Sequence, residues 1–306
     1  MNPVSNTLPE SIPPASGSAR PTSPFRWSVR RELWENRSIY IAPLVVAIVQ
    51  IFGFAVSTHG MAARRRAVLL LDPAVQRARI GEPYHFVAIV MIFTVFIVGI
   101  FYCLDALYGE RRDRSILFWK SLPVSDVTAV FAKMTIPVVV LPLIAFVTIA
   151  CTQLIILLIS SVVLSVHGIS PTTTLAHYSL AFNWVVLLYG LVAIALWHIP
   201  VYGWFLFVSA WVRRAAFLWA ILPPLTVSIF EKITFGTSHF GSFIIGRLLG
   251  FLPAAFSGTH SHAPIQSFAQ FTPLKYLTSP GLWIGLILGA ALLAGAVRLR
   301  RSQGPI

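Results

Sequence analysis

The longest uncharged stretch of the chain, residues 134–212, constrains its fold most strongly. It runs for 79 residues without a lysine, arginine, aspartate or glutamate. A membrane-crossing helix needs about 20 apolar residues, so this stretch is too long for one crossing and suits two. Glycine, proline, serine and threonine gather at residues 167–174 and indicate the loop between them. The stretch therefore predicts two adjacent transmembrane helices.

The composition extends this interpretation to the whole chain. Of its 306 residues, 57% are hydrophobic and 11% are charged, whereas soluble domains carry about 25% charged residues. So few charges exclude an ordinary cytosolic enzyme and a disordered protein. The predicted fold is an all-α integral membrane protein with six transmembrane helices. Their approximate positions are residues 39–56, 86–104, 135–166, 184–211, 215–230 and 279–297.

The N-terminal region is polar and is not a signal peptide. Residues 1–24 are rich in proline and serine and lack an apolar core, so they predict a disordered tail. Residues 25–306 are expected to form a single transmembrane domain. At its start, a basic stretch interleaved with Trp27 and Trp34 predicts a helix along the membrane surface, with an irregular segment as the alternative.

The net charge of +13 would by itself suggest nucleic-acid binding, but its distribution indicates membrane topology instead. With a cytoplasmic N-terminus, 15 basic residues lie inside and 8 outside. This bias predicts that both termini are cytoplasmic and that no nucleic acid is bound. The arginines of the polar interval 57–85 oppose the bias. They are expected either to face anionic lipid headgroups or to indicate a different position for this loop.

A broken hairpin is expected between the fifth and sixth spans. Pro223 and Pro224 predict a break in the fifth helix, and a second apolar piece at 240–256 is interrupted by Arg247. Such a segment dips into the membrane or lies on it and returns. His239, His260 and His262 fall in this region without a cysteine or a nearby carboxylate. They are expected to be ordinary loop residues, and no metal site is predicted.

A charged block at residues 105–133 separates the second and third spans. It contains an apolar patch at 116–119, a break at Pro123, and a new helix start with Ser125 as N-cap and Asp126 in the first turn. A simple connection between two spans needs only a few residues. The block instead predicts a compact amphipathic element on the cytoplasmic face, suited to docking a soluble partner.

In this block the chain resembles the ABC-2 family of ABC-transporter permeases. The residues that carry the resemblance are Tyr108, Glu110, Arg111, Ser115, Ile116, Lys133 and residues 121–125. In that family the equivalent segment is a coupling helix seated in a groove of the ATP-binding subunit. The resemblance implies a docking set of ionic partners and apolar anchors. This set is Glu110, Arg111, Arg112, Asp113, Arg114, Ser115, Leu117, Phe118, Trp119 and Lys120.

The resemblance also implies the assembly and its location. It implies an exporter in a bacterial cytoplasmic membrane, with two identical permease copies in a homodimer, two ATP-binding subunits, and membrane lipid around them. The chain has no G-x-x-x-x-G-K-[ST] sequence, so it is not expected to be an enzyme or to hold a cofactor. ATP and Mg²⁺ would bind the partner subunit. Trp197, His198 and Tyr202 are candidates for lining the path, with packing or lipid contact as the alternative.

Two other classes remain as alternatives. An ion-coupled secondary transporter, or a channel-like protein, places ionisable residues within its spans, and the first four predicted spans contain none. An intramembrane enzyme would need a motif such as H-E-x-x-H or G-x-S-x-G, and neither is present. Cys103 and Cys151 lie in apolar runs and predict no disulfide. The sequence does not determine the cargo, which could be a lipid, peptide, drug or polysaccharide.

Overall fold

The computed structural model describes residues 23–121, 124–257, 265 and 267–304, and the described chain is almost entirely helical. The α-helices in chain order are α1 (Pro24–Glu35), α2 (Ser38–Ser57), α3 (Met61–Val68), α4 (Pro73–Ala106), α5 (Tyr108–Arg112), α6 (Ser115–Ser121), α7 (Asp126–Thr135), α8 (Leu141–Val166), α9 (Thr172–His177), α10 (Leu180–Trp197), α11 (Ile199–Trp211), α12 (Ala216–Phe235), α13 (His239–Leu249), α14 (Phe251–Ala255), α15 (Pro273–Leu277) and α16 (Pro280–Ser302). A π-helical turn, Ile136–Val140, joins α7 to α8.

Within the described residues, six helical stretches are long and apolar enough to cross a membrane. They are Ser38–Ser57, Pro73–Arg112, Asp126–Val166, Leu180–Trp197, Ala216–Phe235 and Pro280–Ser302. This confirms the prediction of an all-α chain with six such helices. The predicted N-terminal tail lies outside the described residues, apart from its last two positions.

Helix α4 lies at the centre of the packing. It contacts α2, α8 and α11, and its buried side chains include Tyr84, Val87, Met91 and Val95. These residues recur every three or four positions, so they share one face of the helix. One turn further, at Gly99, an added Cβ would lie 3.1 Å from the Tyr202 ring. The face thus continues as a close contact with α11.

The polar interval 57–85 is not the loop that the sequence predicted. It contains α3 and the first turns of α4, which begins at Pro73 rather than near residue 86. Proline is favoured at the first helical position because its missing N–H would have no partner there. At 34 residues, α4 is about 51 Å long and exceeds the roughly 30 Å hydrocarbon core. A helix of this length has ends beyond the apolar layer, which accommodates its polar residues.

The fourth predicted span is one bent helical stretch made of α10 and α11. The bend lies at His198, where φ is −89° and ψ is 2°. Pro200 cannot donate a backbone hydrogen bond, which opens the helix at this point. The chain still continues helically, because His198 N donates to Ile194 O at 3.0 Å and Tyr202 N donates to His198 O at 3.0 Å.

The predicted break at Pro223 and Pro224 is wrong, since α12 continues through both prolines. Pro224 has no N–H, so the Ala220 carbonyl four residues earlier lacks its helical hydrogen-bond donor. The Trp204 indole of α11 donates to that carbonyl at 3.0 Å instead. A side chain from a neighbouring helix therefore satisfies the acceptor that the proline frees, which is how membrane helices tolerate proline.

The chain turns back after α12 at Gly236, whose φ of +65° is in the left-handed region. The Glu231 carboxylate then accepts hydrogen bonds from His239 N at 2.7 Å and Phe240 N at 2.8 Å. It therefore caps the start of α13. Helices α13 and α14 correspond to the predicted apolar piece at 240–256. The break of the hairpin lies at Gly236, after the fifth span and not within it.

Candidate functional site

A cluster of ionised side chains lies buried where α1, α5, α7 and α16 meet. We call Arg31, Glu32, Glu110, Lys133 and Arg300 the ionic cluster. Lys133 Nζ lies 2.8 Å from Glu32 Oε1 and 3.0 Å from Glu110 Oε1. Arg31 Nη2 lies 2.5 Å from Glu32 Oε1 and 3.0 Å from Glu110 Oε1. Arg300 Nη1 donates to Glu110 Oε2.

Glu110 is the centre of this cluster. Its carboxylate accepts hydrogen bonds or ion pairs from Arg31, Lys133 and Arg300, which belong to three different helices. Its side chain is only 6% exposed. A carboxylate in such a place is stable only because its partners supply the charge that water would otherwise screen. Glu110 therefore ties α5 to α1, α7 and α16.

Two further residues extend the cluster. The Tyr102 hydroxyl of α4 donates to Glu32 Oε2 at 2.8 Å, and Arg300 Nε donates to Asp126 Oδ1 at 3.0 Å. With Asp126 included, the carboxylates and the cations balance in number. These six groups thus form a neutral network that connects α1, α4, α5, α7 and α16 at one end of the helices, and the exposed Glu35 adds a carboxylate that pairs with Arg31 at 3.6 Å.

Local sequence places the α7 members of the network. Ser125 caps α7, and its hydroxyl accepts a hydrogen bond from Thr128 N at 3.1 Å. This cap confirms the predicted helix start. Asp126 then lies in the first turn and Lys133 about two turns later, so both reach the same neighbours from one helix.

Glu32 lies on α1, outside the membrane-spanning helices, and its ionisation is coupled to its neighbours. Burial by itself raises the pKa of Glu32, but Lys133 and Arg31 outweigh burial and hold the pKa below its ordinary value of 4.5. A carboxyl whose pKa is depressed by folding stabilises the folded state above its unfolded pKa. That stabilisation disappears as the pH falls through the folded pKa.

We therefore expect Glu32→Gln to unfold at a lower temperature than the wild type at pH 7. The difference between the wild-type and Glu32→Gln melting temperatures should be constant down to about pH 4.5. It should narrow at lower pH, where the wild-type carboxyl becomes protonated. Thermal melts between pH 7 and pH 3 measure this difference. Glu35→Gln is the matched control, because Glu35 is 44% exposed and burial raises its pKa. A difference between the Glu32→Gln and wild-type melting temperatures that does not narrow below pH 4.5 would contradict the assignment.

Two members of the predicted docking set, Glu110 and Arg111, are buried in the single chain, and their role as ionic partners of another subunit stays a prediction. Glu110 belongs to the ionic cluster. Arg111 is 4% exposed. Its guanidinium donates from Nη1 to Ala210 O at 2.5 Å and to Val212 O at 3.2 Å. These carbonyls end α11, and a cation there satisfies acceptors that the helix leaves free. Both residues hold the segment to the helices.

The remaining members form the outer face of the segment. Leu117 and Phe118 are 60% and 59% exposed, and Ser115 and Trp119 are half-buried. The charged members Arg112, Asp113, Arg114 and Lys120 are exposed. Beneath them Ile116 is fully buried and anchors α6. The predicted apolar anchors thus face outward on a short helix whose other side is packed.

Trp119 connects this outer face to the ionic cluster. The Arg31 guanidinium carbon lies 3.9 Å from the centre of the Trp119 ring, a cation–π contact. Arg31 also binds Glu32 and Glu110. In addition, Lys120 Nζ donates to Gln303 O at 3.3 Å, beyond the end of α16. A displacement of α6 would therefore act directly on α1 and α16.

The three candidate path residues are packed inside the chain. Trp197, His198 and Tyr202 are 7%, 3% and 4% exposed. The His198 ring meets Phe96 of α4 edge-on at 5.1 Å, and the Trp197 indole donates to Gly246 O at 3.2 Å. The bend at His198 turns these rings toward α4 and α13 in the single chain, and path lining stays a prediction. Packing, the alternative left open above, accounts for these contacts.

Glu32, Tyr102 and Arg300 were not predicted to be site residues. Lys133 was part of the resemblance, but no function was predicted for it. The available signal was position: Lys133 immediately precedes the 79-residue uncharged stretch, and Arg300 follows the last apolar run. Charges at such borders are usually assigned to topology. Their convergence depends on the packing of helices distant in sequence.

In comparisons with known proteins, no protein-family model, no curated protein and no solved structure matches the chain. Among the described residues, no group of three or more histidine, cysteine, aspartate or glutamate side chains could hold a metal ion. His260 and His262 lie outside the described residues.

Proposed function

We propose that the chain is the permease subunit of an ATP-driven exporter. In this proposal two copies form the path, and each docks one ATP-binding subunit that supplies ATP and Mg²⁺. The exposed face of α6 is the docking surface. The assembly lies in a bacterial cytoplasmic membrane, with both termini in the cytoplasm.

The observation that carries the proposal is the connection between α6 and the ionic cluster. Leu117 and Phe118 point outward, while Trp119 contacts Arg31, which in turn binds Glu110. A partner that displaces α6 would therefore displace the side chains of a network that holds five helices together. Buried, satisfied charge networks are rigid, so they suit the transmission of a displacement.

The position of the chain ends supports the proposed topology. Arg31 follows the N-terminal tail, Arg300 precedes the C-terminus, and both contact Glu110. The two terminal helices therefore meet at the same end of the bundle. Such an arrangement fits an even number of crossings, and the excess of basic residues favours the cytoplasm for this end.

Docking is tested by co-purification with the ATP-binding subunit. We expect Leu117→Ala/Phe118→Ala to lose most of the bound subunit, because exposed apolar anchors at an interface centre typically contribute about 2 kcal/mol or more each. Membrane insertion and the melting temperature should stay near the wild-type values, since both side chains are exposed.

Val127→Ala is the matched control for docking. Val127 is an exposed apolar residue on α7, outside the docking set, and its truncation should leave co-purification unchanged. If the double variant keeps the wild-type amount of ATP-binding subunit, the docking assignment fails.

A specific observation also favours a second candidate, an ion-coupled transporter. Glu110 and Lys133 are buried within helical stretches that are long and apolar enough to cross a membrane. Buried acid–base pairs in such stretches occur in proton relays. Transport in vesicles separates the two functions. Collapse of the pH gradient stops an ion-coupled transporter, whereas an ATP-driven exporter continues while ATP lasts.

A further inference from the structure

At the end of the helices opposite the ionic cluster, a buried arginine lies without a counter-ion. Arg65 of α3 is separated from that cluster by the full length of α2. It is 7% exposed, and Nη1 has no hydrogen-bond partner. Within the described chain its side chain makes no ion pair. By contrast, its neighbour Arg66 donates to His167 O at 2.9 Å.

Other buried polar groups lie around this guanidinium. Tyr84 of α4 interacts electrostatically with Arg65, and its hydroxyl lies near that of Ser160 without a well-formed hydrogen bond. The Tyr84 ring stacks on Tyr178 at 4.6 Å. One turn before Tyr178, the Thr174 hydroxyl is buried and also unpartnered. Helices α3 and α9 both pack against α4, so these three helices bring the Arg65 guanidinium and the Tyr84 and Thr174 hydroxyls to the same end of the bundle, while the Ser160 hydroxyl of α8 already donates to Ile156 O at 2.7 Å.

The charge of Arg65 determines what can satisfy this region. Burial lowers the pKa of Arg65, with Tyr84 opposing the change, but an arginine in a protein stays protonated at neutral pH. Water can accept its hydrogen bonds but cannot supply an opposite charge. The adjacent Arg64 and Arg66 add positive charge. Within the described residues neither of the next two carboxylates in the sequence pairs with Arg65, since Asp72 forms no salt bridge and Glu82 pairs with Arg79 at 3.6 Å. The missing partner is therefore an anion.

We propose that Arg65, with the Tyr84 and Thr174 hydroxyls, forms a binding site for a phosphoryl group. A phosphate presents several acceptor oxygens, which suit a guanidinium fork and two hydroxyl donors together. The group comes from the headgroup of an anionic phospholipid or from free phosphate. The headgroups of a surrounding bilayer lie at the ends of the membrane-crossing helices, which is the level of Arg65. The site is independent of the proposed transport function.

The test measures the melting temperature of the detergent-purified chain with three probes. These are phosphatidylglycerol, diacylglycerol as the phosphate-free lipid, and inorganic phosphate. At about 100 times its dissociation constant, a ligand of the folded state should raise the melting temperature by roughly 5 °C. We expect this rise with phosphatidylglycerol and not with diacylglycerol. It should vanish in Arg65→Gln and persist in Arg77→Gln, which removes an exposed arginine of α4.

The outcomes separate the sources of the anion. An Arg65-dependent rise with phosphatidylglycerol alone supports a lipid site, and the same rise with inorganic phosphate supports a site for free phosphate. No rise with either probe, or an equal rise in Arg65→Gln, overturns the proposal. Arg65→Leu gives a second test. Without added anion it should melt at or above the wild-type temperature, and a large fall would show that Arg65 is already paired.

Discussion

Glu110→Gln should destabilise the chain more than any other single charge change. The substitution keeps the size of the side chain but leaves Arg31, Lys133 and Arg300 with an uncompensated buried positive charge. Removing one partner of a buried ion pair costs about 3–5 kcal/mol. We expect the melting temperature of the detergent-purified chain to fall by roughly 10 °C.

Asp113→Asn is the matched control for Glu110→Gln. Asp113 lies three residues away on the same charged block, but its side chain is 61% exposed and pairs with the exposed Arg112 at 2.9 Å. Surface pairs of this kind contribute about 0–1 kcal/mol. Equal melting temperatures for the two variants would mean that Glu110 is not the centre of a buried network.

Gly289→Leu should have a comparably large effect by a different mechanism. Helices α11 and α16 are in close contact at this position, where an added Cβ would lie 2.6 Å from Ile199 Cγ2 and 3.3 Å from Pro200 N. Leucine would push the two helices apart, because the backbone of α11 cannot move aside as a side chain can. We expect a loss of at least about 3 kcal/mol, measured by thermal or denaturant unfolding.

Gly53→Leu is the corresponding control. Gly53 lies within α2, is exposed, and has no atom within 4 Å of an added Cβ. Leucine forms helix better than glycine by about 1 kcal/mol, so stability should be unchanged or slightly raised. A loss at Gly53 as large as that at Gly289 would show that glycine itself, and not close helix packing, matters in these helices.

The ionic cluster around Glu110 and the helix contact at Gly289 are connected through α16. The most extensive helix contact of the described residues, between α11 and α16, lies in the body of the bundle, whereas the ionic cluster lies at its end. Arg300 belongs to α16 and binds Glu110 and Asp126. A displacement that reaches α16 through Arg300 would therefore be passed to α11. Under the proposed function, this route connects the docking face with the helices that pack around Tyr202.

The helices themselves were predictable from local patterns. The uncharged stretch 134–212, the N-cap at Ser125 and the apolar piece at 240–256 each correspond to observed helices. These signals depend on neighbours within a few residues, so tertiary packing changes little about them. The start of α4 was missed because polar residues beyond the apolar layer carry no spacing signal that distinguishes a helix from a loop.

The predicted break at Pro223 and Pro224 failed for the opposite reason. Sequence rules count the hydrogen bond that a proline removes, but they cannot include a donor from another helix. Trp204 lies 16 residues before Ala220, and only the packing of α11 against α12 brings its indole to the freed carbonyl. The local rule was valid, and a tertiary contact overrode it.

By itself the sequence determined an all-α chain with six helices able to cross a membrane and a charged block between the second and third of them. Apolar length and hydrogen bonding within each helix require no knowledge of the neighbours. Only the tertiary structure decided that Glu110 and Arg111 face inward while Leu117 and Phe118 face outward. The Glu110 carboxylate is buried where opposite charges converge, because Arg31, Lys133 and Arg300 reach it from helices far apart in the chain.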